Sequence, residues 1–213
     1  MEEINHLFKV IENDKTKSEE IKALMIVVIK ILFFEGLRIG ELMGIKFKDF
    51  ELDILNKNII DEKEITLNLK RTVYYTTGGW ILSDGKTKDS LGRLFIGSNV
   101  VNYLIKYIRL IQRNGIVFNK NDYVFTNPNT KKLYSQEGLR AYLNYFFDLA
   151  NMKRRTFHQL RHSCGTFMLS IGYRLEDVKD KLRHSSIRTT ERYYVTFYES
   201  VKRERAREID KYA

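Results

Sequence analysis

The sequence predicts a mainly helical protein with a small antiparallel β-sheet, an α+β fold. Apolar residues recur with helical spacing before residue 35 and again after residue 97, whereas residues 64–69 alternate polar and apolar side chains as a half-buried strand does. The chain has 213 residues, of which 43% are hydrophobic, and this is enough for one sizeable core or two small domains.

The first predicted element is an apolar helix over residues 18–34, with Ser18 as its N-cap and two glutamates in its first turn. A sheet of two or three strands follows between residues 64 and 96, with turns at Gly78-Gly79 and Asp84-Gly85.

Helical patterns return in the second half of the chain. We expect helices over residues 101–113 and 135–149, then near Leu160 and near Leu175, with a turn at residues 127–129. The charged stretch 199–213 is also expected to be helical. The class remains mainly α with one small sheet.

Composition indicates a polyanionic partner. Lys and Arg number 37 against 27 Asp and Glu, which gives a formal net charge of +10. Such an excess attracts nucleic acid, although a surface made soluble by lysine has the same composition. The lone Cys164 excludes an internal disulfide and is expected to be a buried thiol. The few Cys and His predict no metal site.

The apolar run at residues 23–34 is too short to span a bilayer, and the acidic N-terminus resembles no signal peptide. We therefore expect a cytoplasmic protein without a membrane contact.

Four short segments carry residues suited to chemistry on a phosphate. Their sequences are EGLRIGEL at residues 35–42, KTKDS at 86–90, HQLRH at 158–162 and LRHSSIRTTERY at 182–193.

In the first segment, Arg38 follows an apolar helix and a glycine, so we expect it near the core. A buried arginine needs anionic partners, and Glu41 lies three residues away. By itself the pair is better explained as a structural ion pair than as part of a functional site.

In the third and fourth segments, His158 and Arg161 share one face of a helix, where Arg161 offers a fork of donors that matches phosphate oxygens. His162 is as well explained by packing. His184 is expected at the mouth of a helix that starts at Ser185-Ser186, with Tyr193 about two turns inside it.

Together, in this order, the segments resemble the tyrosine recombinase (phage integrase) family over most of the chain. Residues 35–42 resemble the family's first arginine box, TGLRxSEL; residues 157–163 resemble its HxLRH box, and residues 182–190 its LGHSSIxTT box. The family's nucleophilic tyrosine follows the last histidine by nine positions, which is Tyr193 rather than Tyr194.

The resemblance implies the tyrosine recombinase catalytic-domain fold and a role for each residue. Arg38 and Arg161 bind the scissile phosphate, His158 and His184 assist in phosphate binding and proton transfer, Tyr193 attacks, and a lysine of the sheet protonates the leaving oxygen. Glu41 is a supporting residue.

The lysine stays ambiguous. Lys86 with Thr87 and Ser90 fits the phage-type box and is slightly favoured, whereas counting back from Arg93 favours Lys88. Two departures from the family pattern are Arg183, which replaces the usual glycine, and Phe157, which stands where proline is common.

The resemblance further implies a site-specific recombinase, of the integrase type, that acts through a covalent 3′-phosphotyrosine on double-stranded DNA without a metal or other cofactor. We expect residues 1–198 to form the catalytic domain and residues 199–213 a helical tail, exchanged between protomers or packed in cis. We also expect no N-terminal core-binding domain, so the chain is either a fragment or a short single-domain enzyme.

The expected assembly is a homotetramer on paired DNA sites, with a monomer in the absence of DNA left open. Two alternatives remain: a type IB topoisomerase, which shares the chemistry, and a catalytically silent DNA-binding regulator.

Overall fold

The computed structural model describes residues 1–57, 64–83, 92–184 and 187–210, with only some of the side chains in the last stretch. Its α-helices are α1 (Glu2–Asn13), α2 (Glu19–Lys30), α3 (Ile39–Met43), α4 (Ser98–Arg113), α5 (Gln136–Leu149), α6 (Phe157–Ser170), α7 (Leu175–Leu182) and α8 (Ile187–Asp210). Its strands are β1 (Glu64–Leu69), β2 (Thr72–Thr76), β3 (Gly79–Ser83) and β4 (Gly92–Gly97).

The first two helices differ in how much of their surface they bury. Helix α1 buries Ile4, Leu7, Phe8 and Ile11, the single stripe that a 3.6-residue period places on one face. Helix α2 is buried from residue 22 to its end. The Ser18 hydroxyl accepts a hydrogen bond from the Ile21 amide at 3.4 Å, which confirms the predicted N-cap.

Helix α2 does not continue regularly to residue 34. It changes into one π-helical turn, Ile31–Glu35, and ends at Gly36, whose φ of +63° is left-handed. A Cβ on Gly36 would lie 2.5 Å from Cδ2 of Leu182 in α7. Glycine is therefore required by the backbone and by packing at the turn that leads to Arg38.

The strands form two separate antiparallel ladders among the described residues, whereas the sequence predicted one sheet. β1 pairs with β4, with Ile65 opposite Ile96, and β2 pairs with β3 in a hairpin that turns at residues 77–78. The strand at 64–69 and the turn at Gly78 are confirmed. The predicted Asp84-Gly85 turn lies outside the described residues.

Two apolar clusters hold the helices together. The larger one joins α1, α2, α4 and α5 with β1. The smaller one contains Cys164 and Leu169 of α6 and Val178 and Leu182 of α7, with Phe197 of α8 packed against it. Cys164 is buried as expected, and burial raises the pKa of its thiol to about 11.

Helix α8 runs without a break from Ile187 to Asp210, through the position where the sequence divided the catalytic domain from the tail. That division remains a prediction. Across the described ranges, no helix has both the length and the apolar character needed to cross a membrane. In the same ranges, no group of His, Cys, Asp or Glu side chains is arranged to hold a metal ion.

Candidate active site

Arg38 enters the site from the turn that follows Gly36. Its backbone is extended, and the residue caps the short helix α3. The arginine side chain is 40% exposed, so Arg38 is partly buried, next to the fully buried Glu41.

Glu41, one turn into α3, is the centre of the cluster. Its side chain is fully buried, and Oε1 accepts a hydrogen bond from Nη1 of Arg38 at 2.7 Å. Oε2 accepts from the Arg38 backbone amide at 2.7 Å and from Nη2 of Arg183 at 2.6 Å. The same oxygen lies 3.6 Å from Nη1 of Arg161. One carboxylate therefore contacts three arginines.

Arg161 is the buried arginine of the site, with a side chain only 2% exposed. It lies on α6 and donates hydrogen bonds to the carbonyl oxygens of Gly36 and Leu182. These contacts join three distant parts of the chain at one guanidinium. A buried guanidinium is stable only when its N–H groups have acceptors and its charge has a partner. Here the two carbonyl oxygens accept hydrogen bonds, and Glu41 supplies the opposite charge.

The two predicted catalytic histidines occupy different environments. His158 is exposed, one helical turn before Arg161 on α6. His184 is half-buried just after α7. Burial, and then the nearby charges of Arg161, Arg38 and Arg183, lower the pKa of its imidazole from 6.5 to about 4. His184 is therefore neutral at pH 7 and lies within electrostatic range of the arginines.

His162 remains consistent with packing. Burial, followed by the charge of His158, lowers the pKa of its imidazole.

Arg183 ends α7 in the left-handed conformation, with φ of 50° and ψ of 53°. Its amide donates to the carbonyl of Asp180, and the His184 amide donates to the carbonyl of Lys179, both at 3.0 Å. This pair of bonds is the Schellman arrangement, in which glycine is favoured because a side chain costs about 1–2 kcal/mol in the left-handed region. The structure thus explains why glycine is usual at this position.

Tyr193 belongs to helix α8, but its side chain is outside the described residues. Lys86 and Lys88 fall in residues 84–91, which the structure does not describe. The choice between the two lysines therefore remains a prediction.

Sequence reasoning missed a second, partly buried ion pair next to the cluster. Nζ of Lys181 lies 2.6 Å from Oε2 of Glu35, and the amide of Gly97 donates to the other oxygen of Glu35 at 3.3 Å. The pair ties α7 to the π-helical turn and to β4. An acidic residue in an otherwise apolar run was its available signal.

Comparisons with known proteins identify the family of this chain. The sequence profile of the phage integrase family matches residues 1–200. An ICEBs1 integrase of Bacillus subtilis is 24% identical over 187 residues, which cover 84% of this chain and 47% of that protein. A XerC-like tyrosine recombinase of Caldanaerobacter subterraneus is 31% identical over 196 residues, covering 84% of this chain and 46% of that protein.

The fold is shared with recombinases solved in complex with DNA. The XerH site-specific recombinase bound to difH substrate superposes with a TM-score of 0.67 at 23% identity, over 91% of this chain and 48% of that chain. The Tn1549 transposon integrase bound to transposon right end DNA gives 0.70 at 19% identity, over 96% and 64% respectively. These matches confirm the predicted fold class. The chain spans about half the length of the curated relatives it matches.

Proposed function

The chain belongs to the phage integrase family, and on that basis we propose that it carries the catalytic centre of a site-specific DNA recombinase. The proposed reaction cuts and rejoins DNA through a covalent 3′-phosphotyrosine at Tyr193. The observation that carries the proposal is the convergence of Arg38 and Arg161, from separate parts of the sequence, on the buried carboxylate of Glu41, with His184 close enough for their charges to lower the pKa of its imidazole.

The arginines are suited to a phosphodiester because they stay charged at any relevant pH. As the nucleophile adds, negative charge on the non-bridging oxygens grows, and fixed guanidinium donors stabilise this state more than the ground state. Arg38 is the more accessible of the two, since its side chain is 40% exposed. We assign Arg38 to the first contact with the phosphate, and Arg161 to a contact that forms as its carbonyl partners are exchanged for phosphate oxygens.

The covalent step conserves the energy of the phosphodiester. The tyrosine oxygen forms a bond to phosphorus, the bond from phosphorus to the 5′ oxygen breaks, and the tyrosine proton passes to a neighbouring base. The 5′ oxygen departs as a hydroxyl after it takes a proton from Lys86 or Lys88. Attack by another 5′ hydroxyl reverses these steps, so the proposal needs no ATP.

The two histidines suit different tasks within this scheme. His184 is neutral at pH 7 because burial and the arginines lower the pKa of its imidazole to about 4. A neutral imidazole can donate one hydrogen bond to the phosphate or accept a proton during the reaction. We assign His158, which is exposed beside Arg161, to accept the tyrosine proton.

Double-stranded DNA is the proposed partner, and the net charge of +10 supports binding to its phosphates. We further propose that four protomers assemble on two DNA sites in the cytoplasm, because exchange of strands between two duplexes requires four cleavages.

The test is a nicked suicide substrate, from which a short cleaved fragment diffuses away and traps the covalent intermediate. We expect a protein–DNA adduct with the unaltered chain and none with Tyr193→Phe, whereas Tyr194→Phe serves as the matched control and retains the adduct. Absence of the adduct from a folded, DNA-binding chain would instead identify a silent regulator. Relaxation of supercoiled plasmids without paired sites would instead identify a topoisomerase.

A further inference from the structure

We propose that Arg183 is a positioning residue of the phosphate site, whose guanidinium occupies one oxygen of Glu41 and so leaves Arg161 able to turn towards a phosphate. This inference rests on the proposed function and adds to it a third arginine. The family pattern has glycine at the position, so no role for a side chain there follows from the resemblance.

The first argument is competition for the carboxylate. Oε2 of Glu41 lies 2.6 Å from Nη2 of Arg183 but 3.6 Å from Nη1 of Arg161. Arg183 is therefore within hydrogen-bonding distance of this oxygen, whereas Arg161 lies one ångström further from it. If Arg183 is removed, this oxygen keeps the Arg38 backbone amide but loses the Arg183 guanidinium, and Arg161, which is 3.6 Å away, is expected to move closer to it. A charge-assisted bond to a buried carboxylate would then oppose its transfer to a phosphate.

The second argument is charge. Three arginines surround one carboxylate, so this group of four side chains has an excess of two positive charges. The Arg183 side chain is 8% exposed and Glu41 is fully buried, which weakens solvent screening. An excess of this size matches a phosphate that approaches two negative charges in the transition state. Replacement of Arg183 by glycine halves the excess.

The third argument is backbone conformation. Arg183 adopts a left-handed conformation that glycine adopts without strain. Its guanidinium also donates to the carbonyl of Lys181 at 3.1 Å, while Nε is buried without a hydrogen-bond partner in the described part of the chain. The left-handed backbone and the unsatisfied Nε are both unfavourable, and the bond from Arg183 to Glu41 is the interaction that offsets them. That bond also fixes the end of α7, which carries the next residue, His184.

The test uses three substitutions in the full chain: Arg183→Gly, Arg183→Lys and Arg183→Gln. The rate of covalent adduct formation is measured at saturating DNA, and DNA affinity is measured separately. We expect Arg183→Gly to slow cleavage by about ten- to a hundredfold, the range for misplaced catalytic groups. DNA affinity should change by less than about threefold, since Arg183 does not supply the main contacts to DNA.

The other two substitutions separate charge from hydrogen bonding. Lys keeps the charge and should recover most of the rate, whereas Gln keeps a donor without charge and should remain slow. Arg174→Gln is the matched control, because it removes the same charge from an exposed position at the other end of α7. Wild-type cleavage by Arg183→Gly, or equal rates for Lys and Gln, would overturn the inference. Thermal unfolding confirms that each variant folds.

A second measurement does not require cleavage. Inorganic phosphate is titrated against thermal unfolding of the unaltered chain and of Arg183→Gly. We expect the glycine variant to need several-fold more phosphate for the same stabilisation, and equal phosphate dependence would contradict the role of Arg183. Failure of the unaltered chain to form the adduct would refute the proposed function, while the phosphate titration still decides the role of Arg183.

Discussion

Replacement of Glu41 by glutamine is the sharpest test of how the site is held together. Glu41 is fully buried and accepts hydrogen bonds from Arg38 and Arg183 at 2.6–2.7 Å. Glutamine keeps the shape but removes the charge, and it turns one acceptor into a donor that faces guanidinium donors. Loss of one partner from a buried ion pair leaves the other charges uncompensated, so we expect the free energy of unfolding to fall by about 3 kcal/mol.

For a chain of this length, such a loss lowers the midpoint of thermal unfolding by about 6–12 °C. Urea unfolding followed by circular dichroism measures the free energy directly. Glu51→Gln is the matched control, because Glu51 pairs with Arg93 in an exposed salt bridge and its loss should leave the midpoint close to that of the unaltered chain.

The double variant Glu41→Gln, Arg183→Gln completes a thermodynamic cycle. Because the two side chains are in direct contact, we expect the double variant to lose at least about 1 kcal/mol less than the sum of the single variants. Equal stability of Glu41→Gln and the unaltered chain, or strict additivity in the cycle, would show that the carboxylate does not hold the arginines and would remove the basis for the arrangement of the site.

Three further predictions concern the histidine, the lysine and the tail. The folded chain lowers the pKa of His184 from 6.5 to about 4, so between these pH values the unfolded chain binds the proton and the folded chain does not. The free energy of unfolding should therefore fall as the pH falls from 6.5 to 4. NMR titration should show a neutral imidazole at pH 6, and a measured pKa near 6.5 would contradict the assignment. A substrate whose bridging 5′ oxygen is replaced by sulfur needs no proton on departure, so Lys86→Ala should lose activity on normal DNA and recover it on this substrate; recovery by Lys88→Ala instead would reverse the choice. Truncation before Glu199 should preserve the fold but reduce assembly on DNA, because the exposed Ile209 of the tail is then no longer present to pack against a neighbouring protomer. Unchanged assembly in native gels would favour a cis-packed tail.

Local patterns were sufficient wherever neighbouring residues decide the structure. Ser18 was predicted as an N-cap because its hydroxyl serves an amide three residues away, and residues 64–69 were predicted as a strand because alternation reports a half-buried ladder. The pairing of β1 with β4 and the separate β2–β3 hairpin were not predicted. The register of β1 with β4 depends on contacts across about thirty residues of sequence, which local spacing does not encode.

The candidate site shows the same division. Arg38, Glu41, Arg161 and His184 were identified from short segments whose chemistry is visible in the sequence. Their degree of burial was not: the side chain of Arg38 is 40% exposed, whereas that of Arg161 on α6 is 2% exposed. The chain reaches Arg38 through a π-helical turn and the left-handed Gly36, which lies close to Leu182 of α7, and this contact between distant segments is not encoded by local spacing.

The sequence alone determined the fold class and the family resemblance and named the candidate reactive groups, because each is carried by residue types at short spacing. Only the tertiary structure decided which arginine is accessible, that one carboxylate serves three guanidinium groups, and that Arg183 occupies a position suited to glycine. The physical reason is that burial and charge pairing arise between segments more than a hundred residues apart, where the free energy of a side chain is set by neighbours that the chain meets only after folding.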